Sequence, residues 1–332
     1  MISYKIDELA RKIKRDEEIK RKMGIFLREL GLFEKVDKMK IENLKIGGED
    51  SGVVRRSTHI KDIIFLRAIA TIFIYQDSKL RDAIYFPSKS PEIKIESAPE
   101  NLNEFEFSIF WGLKRVFAEL EVSISAIRKY SPDYFLMDGS LCIHPMERPK
   151  KESELYKYFE EVSEKFKELF ELCREKGCTL IGVIEDSRSN NYCNWIIGNL
   201  LSKVGKEKAK EVINVLSKSR DTNLLYYALK VGEKTNSLNL LKEINYFYIK
   251  VVSFDRPLRI EYLNWEDEKK IASLIYTLSS KNRRYGMPNV LIECDLKAKI
   301  SQNFADAYLK EISMKTGLRD LLFLRRENRP FG

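Results

Sequence analysis

Apolar and charged positions alternate along this chain with changing period. Residues 4–33 read as a charged amphipathic helix. Between Ile46 and Gln76 the texture changes: Val53-Val54 and the run IIFLRAIATIFIYQ (63–76) are rich in β-branched and aromatic residues and predict strands. Residues 104–129 return to a helical period, with Ile109, Leu113, Val116, Phe117, Leu120, Ile124 and Ile127 on one stripe. A strand is predicted over 133–143, then a second amphipathic helix over 153–176 that stops at Gly177. TLIGVIED (179–186) reads as a short buried strand, and residues 192–218 as helix. Residues 244–263 predict two strands around a turn at Asp255-Arg256-Pro257, and helices over 265–281 and 289–312 follow. Strands first, then strands alternating with helices, predict an α/β fold on a mixed β-sheet flanked by helices. The expected layout is an N-terminal helical segment (1–45), a main domain (46–312) with a helical insertion at about 187–243, and a C-terminal tail (313–332).

The 332 residues suffice for a large core. No stretch approaches the roughly 20 uninterrupted apolar residues of a membrane span. The N-terminus is polar and charged, so a soluble cytoplasmic protein with no membrane contact is expected. Five cysteines form no CxxC pair, which argues against thiolate–metal or redox chemistry. The two histidines, His59 and His144, leave little room for a His-rich zinc site. A formal charge of +9 permits a polyanionic partner such as DNA. Two glutamines amid abundant Lys and Glu fit a heat-adapted source.

Four carboxylates stand out by position. Asp50 lies near the first core strand in IGGEDSGVVRR, and Asp138 interrupts the apolar strand of 134-YFLMDGSLCIHP-145. Glu121 flanks the apolar stripe of the intervening helix. Glu119 flanks its other edge, and periodicity alone does not choose between them. Asp295 borders the apolar face of the last helix. Brought together, such acids repel one another unless cations neutralise them, and hard oxygen ligands suit Mn²⁺ or Mg²⁺. Two such ions about 3.5–4 Å apart can activate a water and stabilise the leaving oxygen of a phosphodiester. The order strand Asp, helix Glu, strand Asp, late-helix acid is that of ribonuclease-H-like nucleases. The competing reading makes Asp50 a turn residue and Glu121 a solvated flank.

The same residues resemble the NurA family, nucleases paired with HerA-type DNA translocases in archaea. Four ordered segments carry the resemblance: GGEDSGVVRRSTHIKDIIFLRA, AELEVSISAIRKYSPDYFLMDGSL, LIGVIEDSRS and YGMPNVLIECDLKAKI. Glu121 stands 138 − 121 = 17 residues before Asp138, a separation similar to the family's, which favours Glu121 over Glu119. The resemblance implies a ribonuclease-H-like fold and a homodimer. It implies a Mn²⁺-dependent deoxyribonuclease, a single-strand endonuclease and 5′–3′ exonuclease, with two ions held by Asp50, Glu121, Asp138 and Asp295. It also implies a HerA-like hexameric ATPase partner in DNA end resection for recombinational repair. Departures are Met287 where many relatives have Tyr, Asp295 where they have His, Glu185 where they often have Lys, and Ser-Gly rather than Gly-Ser after Asp50.

Arg55 and Arg56 follow Asp50, and Lys281, Arg283 and Arg284 precede the Asp295 helix; these are the candidate phosphate contacts. Tyr246, Phe247 and Tyr248 are candidates for base stacking, with core packing favoured. His144, beside Pro145, reads as structural. Lys250, Arg259 and Glu261 are outlying candidates for a cleft. Two rival readings remain: an actin-like ATPase or sugar kinase, and a non-catalytic DNA-binding adaptor of a DNA translocase.

Overall fold

The computed structural model describes residues 2–200, 205–281, 283–318 and 322. The chain forms two compact units, each assembled from separated segments: Met1–Lys40 with Ile181–Asn289, and Ile41–Leu180 with Val290–Gly332. Most of the tail expected at 313–332 lies outside the described residues.

In chain order, the first unit opens with α1 (Ile2–Glu29) and β1 (Phe33–Lys35). The second unit follows with β2 (Lys45–Arg56), β3 (Ile63–Gln76), β4 (Lys79–Phe86), β5 (Lys94–Ser97), α2 (Glu104–Tyr130), β6 (Tyr134–Asp138) and α3 (Tyr156–Lys176). Next come β7 (Thr179–Ile184), α4 (Asn191–Leu200), α5 (Lys206–Leu216), α6 (Asp221–Ala228), β8 (Glu233–Thr235), β9 (Leu238–Leu241), β10 (Ile244–Lys250), β11 (Leu258–Leu263) and α7 (Glu268–Ser279). The chain closes with α8 (Asn289–Ala298) and α9 (Gln302–Thr316). No helix among the described residues is long and apolar enough to cross a membrane.

In the second unit the strand order is β4-β3-β2-β6, with β5 also on β3. β2 and β3 pair antiparallel along the whole of β2, from Lys45 opposite Ile74 to Arg56 opposite Ile63. β6 joins the other edge of β2 in parallel, with Glu49 opposite Met137. A parallel neighbour requires a crossover, and α2 supplies it. α2 starts at a capping box, in which Asn103 accepts from the N–H groups of Phe105 and Glu106 while Glu106 accepts from that of Asn103. Three antiparallel strands, a helix and a parallel return beside the first strand form the ribonuclease-H-like mixed sheet that was expected. β2 alternates its faces. Gly48 lies against Val290 and Leu291 of α8, whereas Ser51 turns toward α2.

In the first unit β1-β8-β10-β11-β7 form an antiparallel sheet, with β9 on β10. Its core gathers Leu27 of α1, Tyr192 of α4, Leu224 and Leu225 of α6 and Tyr246 and Tyr248 of β10. The buried Asp221 side chain accepts from the N–H groups of Tyr192 and Cys193 and from the Tyr248 hydroxyl, so it is hydrogen-bonded within that core.

Several elements differ from the sequence reading. The strand expected over 133–143 ends at Asp138, because Gly139 takes φ +146°, a conformation L side chains avoid. The helix expected over 192–218 is α4 and α5; residues 201–204 lie outside the described residues. The helix expected over 289–312 is two helices, because the Ser301 hydroxyl accepts from the Phe304 N–H and starts α9 anew. β4, β5, β8, β9 and α6 had no counterpart in the periodicity.

Candidate functional site

The acids of interest all lie in the second unit, around the middle of β2. Asp50 shares a face of β2 with Gly48 and Gly52, the face that meets α8. At Gly52 a Cβ would stand 2.2 Å from the Ala298 carbonyl oxygen, so only glycine allows the C-terminal turn of α8 to approach this closely. That approach carries Asp295, one turn earlier on α8, toward Asp50. Asp50 is buried, and its Oδ1 accepts from the Ser51 N–H at 2.6 Å. Burial, then the charges of Asp138 and Glu119, push its carboxyl up to about 8, and Asp295 adds to the effect.

On the opposite face of β2, Ser51 donates its hydroxyl to Glu119 Oε1 at 2.5 Å. The same oxygen accepts from Arg115 Nη1 at 2.6 Å, an i,i+4 pair along α2. Glu119 is buried, and burial raises its carboxyl above the ordinary range despite Arg115 and Ser51. Asp138, at the end of β6, donates its backbone N–H to Glu49 Oε1 at 3.2 Å. Glu49 is fully buried, and its second oxygen, Oε2, has no hydrogen-bond partner among the described residues. Burial first, then Glu119, Asp50 and Asp138, raise its carboxyl well above the usual carboxylate range. Arg115 is the cation paired with Glu119 in this group.

Asp50 is thus within electrostatic reach of Asp138, Glu119 and Asp295, and Glu49 within reach of Glu119, Asp50, Asp138 and Arg115. Glu121 is not among these groups. Two residues along a helix turn the side chain by roughly 200°, so Glu119 and Glu121 cannot share a face. Glu119 takes the inward place. Glu121 is 43 % exposed, ion-pairs with Lys94 at 3.7 Å and lines a separate groove with Leu66 and Pro87. The structure places Glu119 against Ser51 of β2, and the Glu121 that the family-like spacing favoured beside Lys94 at the surface. Arg115, four residues before Glu119, was the available signal for the helix position.

The donor set is entirely carboxylate oxygen and mutually repelling; Glu49, Asp50 and Glu119 are buried, Asp138 is half-buried, Asp295 is exposed beside Lys299 at 3.8 Å, and one buried oxygen, Glu49 Oε2, lacks a partner among the described residues. That chemistry fits a hard divalent cation. Among the described residues no three Asp, Glu, His or Cys side chains stand ready to close around one ion.

Arg55 is exposed and lies over the Trp111 ring at 4.6 Å. Arg56 is bound to α9, donating twice to Asp306 Oδ1 at 3.0 and 2.7 Å, so its head group is already engaged. Lys281, Arg283 and Arg284 belong to the first unit, on exposed turns between α7 and α8. Tyr246, Phe247 and Tyr248 are buried and pack rather than stack on bases. Lys250 is buried with its ammonium 4.0 Å from the Tyr226 ring centre, and Arg259 pairs with the buried Glu261 at 2.6 Å. His144 accepts the Met146 N–H at 3.2 Å and caps a short turn, a structural role as read from Pro145.

Residues 44–300 match the family model of the NurA domain, well over half of the chain. The chain belongs to the NurA family. Among solved structures, it is similar to the NurA nuclease from Sulfolobus solfataricus at 14 % identity, with 98 % of this chain and 97 % of that one covered and a TM-score of 0.58. Two further NurA crystal structures superpose at 12 % identity. One has a TM-score of 0.55 over 96 % of this chain and 99 % of that one; the other, bound to dAMP and manganese, has 0.52 over 92 % and 95 %. No curated protein matches the chain by sequence. The carboxylate group lies inside the NurA-matched segment, on β2, α2, β6 and α8.

Proposed function

We propose that this NurA-family protein is a metal-dependent deoxyribonuclease and that the carboxylates around β2 are its active site. One observation carries the reading: Glu49, Asp50 and Glu119 are buried beside Asp138 with their carboxyls pushed up, an arrangement that costs stability and is explained by a cation. Asp50, Asp138, Glu119 and Asp295 hold the ion or ions, two for a phosphodiester displacement, and Mn²⁺ is the favoured metal because a related NurA structure contains it. A divalent ion bound there supplies Lewis acidity toward a phosphodiester oxygen. Glu49 fixes the Asp138 backbone, and Arg115 restrains Glu119 through its hydrogen bond. Exposed Arg55 positions the sugar-phosphate chain.

The fuller reading places the protein as a homodimer working with a HerA-like hexameric ATPase in end resection, with single-strand endonuclease and 5′–3′ exonuclease activity. It rests on family membership. End-labelled single- and double-stranded DNA, incubated with the chain in Mn²⁺, Mg²⁺ or EDTA beside Asp138→Ala, tests the chemistry. Cleavage in Mn²⁺ that disappears in EDTA and in the variant is expected. Cleavage that survives either would sink the metal–carboxylate reading. DNA binding without cleavage, with or without the ATPase, would favour the adaptor reading.

A further inference from the structure

The first unit contains a basic cavity that the carboxylate chemistry does not use. It encloses about 410 Å³, and Arg188, Arg220 and Arg256 line it with Glu17, Asp186 and Tyr226. Its two acids are already engaged. Asp186 ion-pairs with Arg256 at 2.6 Å. Glu17 accepts from Lys20 at 2.7 Å and from the Tyr227 hydroxyl at 2.8 Å. Arg188 and Arg220 have no carboxylate partner among the described residues, and both are exposed. Asp221, next to Arg220 in the chain, turns its carboxylate into the core onto Tyr248 and does not neutralise it.

One further feature favours an anion in this cavity: Thr222 and Asn223, in the first turn of α6, form part of its wall, so the positive end of that helix faces it. Two guanidiniums without a carboxylate partner, lining one cavity beside a helix N-terminus, suit a tetrahedral phosphate, which accepts bidentate hydrogen bonds from Arg. The volume accommodates a nucleotide rather than a bare ion alone.

We propose that this arginine cavity is a nucleotide-phosphate site, with Arg188 and Arg220 as the principal contacts. The phosphate comes either from a polynucleotide strand or from a free nucleotide. The site stands independently of the nuclease reading, since it needs neither the carboxylates nor a metal.

The test is fluorescence anisotropy with the full chain in EDTA over a salt series, using a labelled single-stranded 12-mer bearing a 5′-phosphate. Calorimetry with dAMP forms the second arm. The variant is Arg188→Gln/Arg220→Gln, and the charge-matched control is Lys151→Gln/Lys176→Gln on the exposed surface of the second unit. Thermal melting verifies folding of both. The double variant is expected to bind the 12-mer about tenfold more weakly, with a salt slope lower by about 1 to 2, while the control changes affinity less than twofold. Arginine-dependent binding of dAMP alone would make a free nucleotide the ligand. Unchanged affinity and slope in the double variant in both arms, or an equal loss in the control, would overturn the proposal. Asp138→Ala separates the two readings, because it abolishes cleavage and leaves this binding intact.

Discussion

At the scale of residues, the decisive distinction is between Glu119 and Glu121. They are neighbours on α2, yet one is buried against Ser51 and Arg115 and the other is paired with Lys94 at the surface. Glu119→Gln removes a charge from the carboxylate group while keeping the side-chain volume. Its Mn²⁺-dependent cleavage is expected to fall on the order of 100-fold, with melting temperature preserved or raised. Glu121→Gln removes an exposed ion pair worth about 0.2–1 kcal/mol, and its cleavage rate stays within about fivefold of the parent. Parallel rate measurements on the two variants decide the matter; the reverse ranking would return Glu121 to the site. The sequence showed Asp138 clearly, because a carboxylate ending an apolar strand is conspicuous. It did not separate Glu119 from Glu121, because both flank one stripe and only the burial of that stripe's edges distinguishes them. Glu49 was hidden for another reason: in a strand, adjacent acids face opposite sides, and which side carries α2 is a tertiary fact.

At the scale of elements, α2, α3 and β3 were legible because their apolar periods are long and unbroken. β4 was not, because KLRDAIYF opens with four exposed residues and owes its existence to pairing with β3 at the sheet edge. The same dependence on neighbours governs the seat of Asp295. α8 lies on β2 only because Gly52 has no side chain, with the Ala298 carbonyl where a Cβ would be. Gly52→Ala forces α8 away from the strand. The expected loss is about 1–3 kcal/mol of stability, and the displaced Asp295 weakens the response to Mn²⁺ as well. Chemical denaturation with and without Mn²⁺ checks both. An unchanged midpoint would mean that the close approach of strand and helix contributes nothing.

At the scale of the whole molecule, the carboxylate group ties stability to pH and to metal. In the unfolded chain an aspartate loses its proton near the ordinary value of 3.8, but Asp50 in the folded protein holds it up to about 8. Between those values the native state binds more protons than the unfolded one, so stability falls as pH rises. The stabilising contribution is fully present below about pH 4 and is lost by about pH 8. Glu49 and Glu119, raised for the same first cause, act in the same direction. The metal-free protein is thus expected to lose melting temperature steadily from pH 5 to pH 8, and Asp50→Asn, which cannot ionise, to lose less. A divalent cation reverses the trend, because it binds the deprotonated groups and its apparent affinity climbs with pH. At about 100 times its dissociation constant, Mn²⁺ adds about 2.7 kcal/mol to folding. The stabilisation by Mn²⁺ should therefore be small at pH 5 and large at pH 8, and thermal unfolding across that range with Mn²⁺ or EDTA measures it. Equal stabilisation at both ends would show that the ion binds elsewhere than the raised carboxyls, because surface carboxylates are already ionised at pH 5 and offer no such pH dependence.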